Sequence, residues 1–439
     1  MTTVWLTEKP SQGADIARVL GAAGRKNGFI ELKNGDKVTW TIGHPLQGLE
    51  PHEYNPAWKR WAWNTLPMIP EVWKNAVDKK KAGQVKVIKE LLKGAQRVVI
   101  ATDAGREGEL IARETLEYCK FKGKIERLWT SVLTDAGIKT ALANLLPNEA
   151  KLPLHEAALG RQHADFLWGI NLTRAVTLAA NTGEMFSVGR VQTPVLYLVV
   201  RLDNEVETFK AQTFYELVAE VKTANGHLLK LKHAPGEKSE NAMRTEAEAK
   251  RRLELAKGAT APLRVETSPG ADEPPYPYSM PALQKDASTA FGFSAAETLA
   301  VAQRLYNDLK VISYPRTDSQ HLDPTLIPGI PAVLRGLTKM FPDAASIVMA
   351  KGPQYRKKVF DESQLTDHHA IVPTDNVQAL SGKDLQLYTL IVERFLQVLA
   401  PTAEYDTTKV SMNANSVLFS TSGRVYRGDS WRNIKLLSR

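Results

Sequence analysis

The chain has almost no cysteine: Cys119 is the only one in 439 residues. An internal disulfide and a multi-cysteine zinc site are therefore excluded, and the usage suits a reducing cytosol. No uninterrupted apolar run reaches the ~18 residues that suggest a membrane span, which predicts no membrane segment. The opening MTTVWLTEKPSQ lacks a basic region followed by an apolar one, so no signal peptide is read. Internal repeats and low-complexity segments are missing too. What is present is ordinary for globular protein, with 43% hydrophobic and 24% charged residues. Lysine and arginine exceed aspartate and glutamate by 57 − 48 = 9, and the pI is near 9.3. That excess favours an acidic partner, nucleic acid first.

Two stretches share one pattern. Thr3 to Leu6 is an apolar run that ends in Thr7-Glu8-Lys9-Pro10-Ser11, and a helix is predicted from Gln12 to Leu20. Val98 to Ala101 ends in Thr102-Asp103-Ala104-Gly105-Arg106-Glu107-Gly108, and a helix is predicted over about 109–118. Ligands of open α/β sheets sit at the carboxyl ends of strands. Carboxylates gathered there suit Mg²⁺, which takes one or two of them plus phosphate and water. The same acids also suit a plain capped helix start.

Ile312-Ser313-Tyr314-Pro315-Arg316-Thr317-Asp318-Ser319 pairs a phenol with a guanidinium. Pro315 favours extended backbone at Tyr314, and in an extended segment residues 314 and 316 point to one side. Tyrosine can attack as a covalent nucleophile, and an arginine fork fits phosphate oxygens. The plain alternative is a Tyr-Pro turn after a strand Val311-Ile312.

The remaining stretches are read more coarsely. Trp58 to Trp73 reads as packing. A helix is predicted over 155–182, with Arg161 and Asp165 spaced to pair on its surface. Ser187 to Pro194 presents Arg190, Gln192 and Thr193, either to a phosphate or as a helix-entry loop. Strands are predicted at 215–221 and 228–231, followed by a polar loop, His233 to Asn241. Ser268 to Pro277, rich in proline and glycine, marks a boundary. Helices follow at 280–291 and 294–308, where Ser294 and Glu297 match a capping box. Thr366-Asp367-His368-His369 precedes a helix from Lys383 to Leu399 and strands at 409–412 and 417–420.

Taken in order, Thr7-Glu8-Lys9-Pro10-Ser11, Asp103 to Glu109, Gly189 to Pro194, Pro274-Pro275, Ser313 to Ser319 and Asp367 to Thr374 resemble a type IA DNA topoisomerase of the bacterial topoisomerase III branch. The resemblance implies a multidomain α/β plus α+β fold, a Rossmann-like Toprim domain on a toroidal body. It divides the chain into a Toprim domain (1–154), the first part of the ring base (155–211), a β-rich arch (212–273 with 401–439) and a helical tyrosine domain (274–400). Tyr314 would form a 5′-phosphotyrosine, Arg316 would stabilise the phosphoryl centre, and Glu8 would protonate the leaving 3′ oxygen. Lys9 and His368 would contact the cleaved phosphate. Asp103 and Glu107, with Glu8, would hold Mg²⁺. Arg190, Gln192, Thr193, Arg161 and Arg174 would lie along DNA, preferentially single-stranded, inside a bacterial cytoplasm. No nucleotide is implied, and no Walker-type Gly-Lys-Ser/Thr loop is present.

Two departures stand out. The family's Asp-x-Asp-x-Glu has Gly105 as its middle residue here, a variant of the topoisomerase III branch. The family also continues beyond the Gly428-to-Trp431 region, which leads us to expect an incomplete ring base and weak strand passage. Two other readings fit the same residues: a Toprim primase or nuclease, and a DNA-binding remnant without activity.

Overall fold

The computed structural model describes residues 2–131, 133–234, 243–365 and 368–437. Thr366 and Asp367 of the last motif lie outside the described residues, as do 235–241 of the polar loop.

Both apolar runs form neighbouring strands of one sheet. Its seven strands lie in the spatial order Ala22–Lys26, Phe29–Leu32, Lys37–Trp40, Thr3–Thr7, Arg97–Ala101, Lys124–Arg127, Leu146–Pro147. Thr3–Thr7 is parallel to both neighbours, with Thr7 opposite Ala101. Alternate residues of a strand face opposite sides, and here both sides are covered. Trp5 and Val99 pack with Ile16 of the helix Pro10–Leu20. Val4, Leu6, Val98 and Ile100 pack with Ile88 and Leu92 of Ala82–Lys93 and Leu116 of Arg106–Tyr118. Burial on two faces explains why the strands read as continuous apolar runs. Each fully buried Leu, Ile or Val contributes about 2 kcal/mol.

A second body is helical. The helix Gly382–Leu399 lies at its centre, with Leu387, Tyr388, Leu390, Ile391, Phe395 and Leu399 buried. Met280–Phe291, Ala295–Asn307, Ile330–Thr338 and Pro342–Lys351 complete it. Ser294 caps Ala295–Asn307 by accepting from the Glu297 N–H. A five-stranded antiparallel sheet joins Val218–Lys222, Leu228–His233, Val417–Tyr426, Ala403–Ala414 and Leu263–Asp272, in that order.

The long helix is Leu152–Ala180, and every residue of the following helix Gln192–Glu207 is exposed. The tryptophan-rich stretch divides. Trp73 stacks on His163 at 3.9 Å and meets Phe166 edge-on, so it packs as read, whereas Trp63 is 59% exposed. Val311-Ile312 is not a strand: among the described residues Ile312 makes one isolated bridge, to Pro373.

Candidate active site

Glu8 and Asp103 stand at the carboxyl ends of adjacent parallel strands, so the sheet register alone brings them together. Lys9 is the extended N-cap of the helix Pro10–Leu20, and Pro10 occupies its first turn. Gln12, in the first turn of that helix, accepts from the Glu8 N–H at 3.0 Å and donates to Asp103 Oδ1 at 3.1 Å. The Asp103 turn is braced from beneath by Arg127. Its guanidinium, fully buried, donates to the carbonyls of Thr102 (2.9 Å) and Asp103 (2.7 Å) and pairs with buried Glu109. Gly108 closes the turn, because a Cβ there would lie 2.1 Å from the Asp103 carbonyl oxygen.

Tyr314 comes from the helical body. Its segment is stitched to residues 368–374. The Ser313 N–H donates to the Val372 carbonyl at 2.9 Å, the Ser313 hydroxyl to the Ala370 carbonyl at 3.1 Å, and the Thr317 hydroxyl to the His368 carbonyl at 3.2 Å. His368 is thereby fixed against Tyr314, with ring centroids 4.2 Å apart, and Tyr306 meets Tyr314 edge-on at 5.3 Å. The backbone does not stay extended through Arg316. Thr317 N–H donates to the Pro315 carbonyl at 3.0 Å, a tight turn centred on residue 316. The shared side for residues 314 and 316 thus does not follow: Tyr314 faces the cluster, while Arg316 is exposed and pairs with no described residue.

The two bodies meet at these side chains. Lys9 Nζ lies 2.6 Å from Asp103 Oδ2, 3.3 Å from Glu8 Oε1 and 4.3 Å from the centre of the Tyr314 ring. His368 Nε2 reaches the same Asp103 Oδ2 at 3.2 Å. A cleft of about 850 Å³ opens beside them, lined by Lys9, Asp103, Tyr306, Tyr314 and His368 among others.

The charges are strongly coupled. Burial, and then the Asp103 charge, push the Glu8 carboxyl up, against the pull of Lys9. Burial would raise Asp103 too, but the His368 hydrogen bond and the Lys9 charge outweigh it and hold Asp103 well below the usual carboxylate range. Burial works to lower Lys9, yet Asp103 and Glu8 keep its ammonium above the usual lysine range. Glu8 thus gives up its proton less readily than an ordinary carboxyl, and Asp103 more readily, a division that suits a general acid at Glu8.

Glu107 does not join the pair. The helix starts at Arg106, earlier than residue 109, so Glu107 falls in its first turn and its carboxylate pairs with His44. That hydrogen bond lowers Glu107 and raises His44. Among the described residues no three acidic, histidine or cysteine side chains are grouped so that they could hold a metal ion. Two hard carboxylates on one point of positive charge still fit Mg²⁺, which usually keeps water and takes few protein ligands. Glu8 and Asp103 are that pair here, and Glu107 is not part of it as placed.

The other nominated residues lie on the long helix and beyond. Arg190 forks onto Asp165, with Nη2 to Oδ2 at 3.0 Å, and Arg161 approaches the same carboxylate at 3.9 Å. Gln192 donates to Ser187 Oγ at 2.7 Å, and Thr193 Oγ1 accepts from the Gly189 N–H at 3.1 Å. Arg174 is a correction: it is buried, donates to the Trp58 carbonyl and lies over Trp61, so it braces the tryptophan stretch and does not face outward. Reasoning from sequence missed Gln12, His44, Tyr306 and the Arg127–Glu109 brace. None of these carried a spacing signal: Glu8 lies before the helix, so helical spacing does not relate it to Gln12.

Residues 150–438 match a family model described as DNA topoisomerase, and residues 3–133 match the Toprim domain. The chain is similar to the DNA topoisomerase 3 of Bacillus thuringiensis (strain Al Hakam) and of Bacillus subtilis (strain 168), 36% identical over 442 and 443 residues. Those alignments cover 98% of this chain and 59% of each relative, so the chain spans about three fifths of their length. Its fold is similar to full-length Topoisomerase I from Thermotoga maritima, with a TM-score of 0.65, 22% identity, and coverage of 99% of this chain and 68% of that one.

Proposed function

We propose, since this chain belongs to the type IA DNA topoisomerase family, that it cleaves one DNA strand by transesterification, lets another strand pass and reseals the first. It would relax negative supercoils or decatenate DNA. The substrate is DNA, preferentially single-stranded, and the setting is the bacterial cytoplasm. In support, no helix among the described residues is long and apolar enough to cross a membrane.

One observation carries the reading. The Tyr314 ring lies under the Lys9 ammonium and against His368, and both of those reach Asp103 across the cleft. A phosphate entering beside Tyr314 meets positive charge already in place, the kind of preorganisation that lowers a barrier most. The Tyr314 hydroxyl gives up its proton to water in the cleft as its oxygen bonds to phosphorus, and the bond to the 3′ oxygen breaks. Glu8, raised by burial, hands its proton to that oxygen. Lys9 and exposed Arg316 hold the phosphate oxygens, and His368 stays oriented by the Asp103 carboxylate. Glu8 and Asp103 would hold a Mg²⁺ ion, which would supply further positive charge, and Glu107 would join them only on leaving His44. Religation runs the same steps backward and needs no nucleotide, because the phosphotyrosine conserves the bond energy.

The test uses single-stranded oligonucleotides labelled at either end, incubated with the chain and denatured. The adduct should keep the 3′-labelled fragment, and Tyr314→Phe should abolish it. Cleavage without any adduct would favour a Toprim nuclease, and binding with neither would favour an inactive DNA-binding protein.

A further inference from the structure

The two inward carboxylates already have a cation, and it belongs to the chain. Asp103 Oδ1 accepts from Gln12, and Oδ2 accepts from both Lys9 at 2.6 Å and His368 at 3.2 Å. Oδ2, with two donors, has no lone pair left for a metal, and Oδ1, with one, keeps a single lone pair beside the Lys9 ammonium. Glu8 Oε1 faces the same ammonium at 3.3 Å. The third acid is engaged elsewhere, with His44, and position 105 is glycine. Lys9 is also the residue whose stem could move most readily: its side chain is 27% exposed, and its Nζ lies over the open side of the Tyr314 ring.

We propose that Lys9 is a tethered counter-cation: it occupies the seat between Glu8 and Asp103, and a divalent ion binds that pair only by displacing it. The inference rests on the reading of Glu8 and Asp103 as a Mg²⁺ site. It adds that the acids are neutralised, and the site is assembled, before any ion arrives. It also makes Lys9 available to a strand phosphate once an ion takes its place. Binding of the ion and movement of Lys9 are then one event.

The test is binding of Mn²⁺ to the whole chain without DNA, read from the free-ion electron paramagnetic resonance spectrum. Lys9→Met should bind Mn²⁺ at least about tenfold more tightly than the unaltered chain, because a unit charge in contact with both ligands is gone. Lys9→Arg keeps the charge and should leave binding weak. Equal affinity in Lys9→Met and the unaltered chain would overturn the inference while leaving the acids as a metal site. Equal tightening by Met and Arg would overturn it as well. No Mn²⁺ binding by any of the three would sink both the metal reading and the inference. A second measurement needs no substitution and serves if Lys9→Met does not fold. Acylation of Lys9 by an amine reagent, followed by mass spectrometry, should rise several-fold when Mg²⁺ is added, as the ammonium leaves its carboxylates. Labelling that stays level or falls at saturating Mg²⁺ would contradict displacement.

Discussion

His369 stands one residue beyond His368 and has a different task. Its ring donates from Nδ1 to the Ala370 carbonyl at 2.7 Å, and burial pushes its pKa down to about 4 against that hydrogen bond. Between this value and the ordinary 6.5 the unfolded chain binds more protons than the folded one. Stability contributed by neutral His369 is therefore present above pH 6.5 and lost as pH falls toward 4. The residue as a whole is half-buried, so a discounted loss of no more than about 2 kcal/mol is expected. His44 acts in the opposite sense. Its raised pKa comes from the Glu107 hydrogen bond, so its contribution is full below pH 6.5 and fades as pH rises. The two are separated by comparing urea midpoints of the unaltered chain and His369→Gln between pH 7.5 and 4.5. The variant should lose less stability on acidification; parallel curves would show that His369 does not titrate in this window.

At the scale of elements, the strand-to-helix turn after Arg97–Ala101 does most to fix the site. Alanine normally favours a helix over glycine by about 1 kcal/mol, yet Gly108→Ala should destabilise by about 2 kcal/mol or more, since overpacking against backbone forces a shift. The shift falls on Asp103, whose carbonyl would be 2.1 Å from the new Cβ. A lower melting temperature with reduced adduct formation is the expected result, and an unchanged melting temperature would rule out the clash. Gly105 differs: its φ of −159° is ordinary extended backbone. The two strands and their acids were legible in the sequence because burial on both faces produces uninterrupted apolar runs. The fate of Glu107 was not, because residue 103 lies before the helix and helical spacing does not relate it to residue 107. Nor was the approach of Tyr314 to His368, which depends on isolated bridges between segments far apart in the chain. The family resemblance puts Arg174 along DNA, and nothing in its helix marks the side that Trp58 and Trp61 cover.

For the whole molecule, the excess of nine positive charges would govern how the proposed DNA substrate is held. Each phosphate neutralised on a single strand adds about −0.7 to the slope of log K against log salt. Cations that are free in the structure contribute fully, and those already paired contribute less, because a carboxylate has to give way first. Arg316 is exposed without a partner among the described residues, so Arg316→Ala should make the slope shallower by about 0.7. Arg190 is forked onto Asp165, so Arg190→Ala should change it less. Asp165→Asn should do the reverse, steepening the slope and tightening binding, since it frees Arg190 and relieves Arg161 together. Fluorescence anisotropy of a labelled single-stranded oligonucleotide from 50 to 300 mM salt reads all three. Equal slopes for Arg190→Ala and Asp165→Asn would mean that the long helix does not touch the strand. Tighter binding of intact duplex at every salt concentration would contradict the single-strand preference itself.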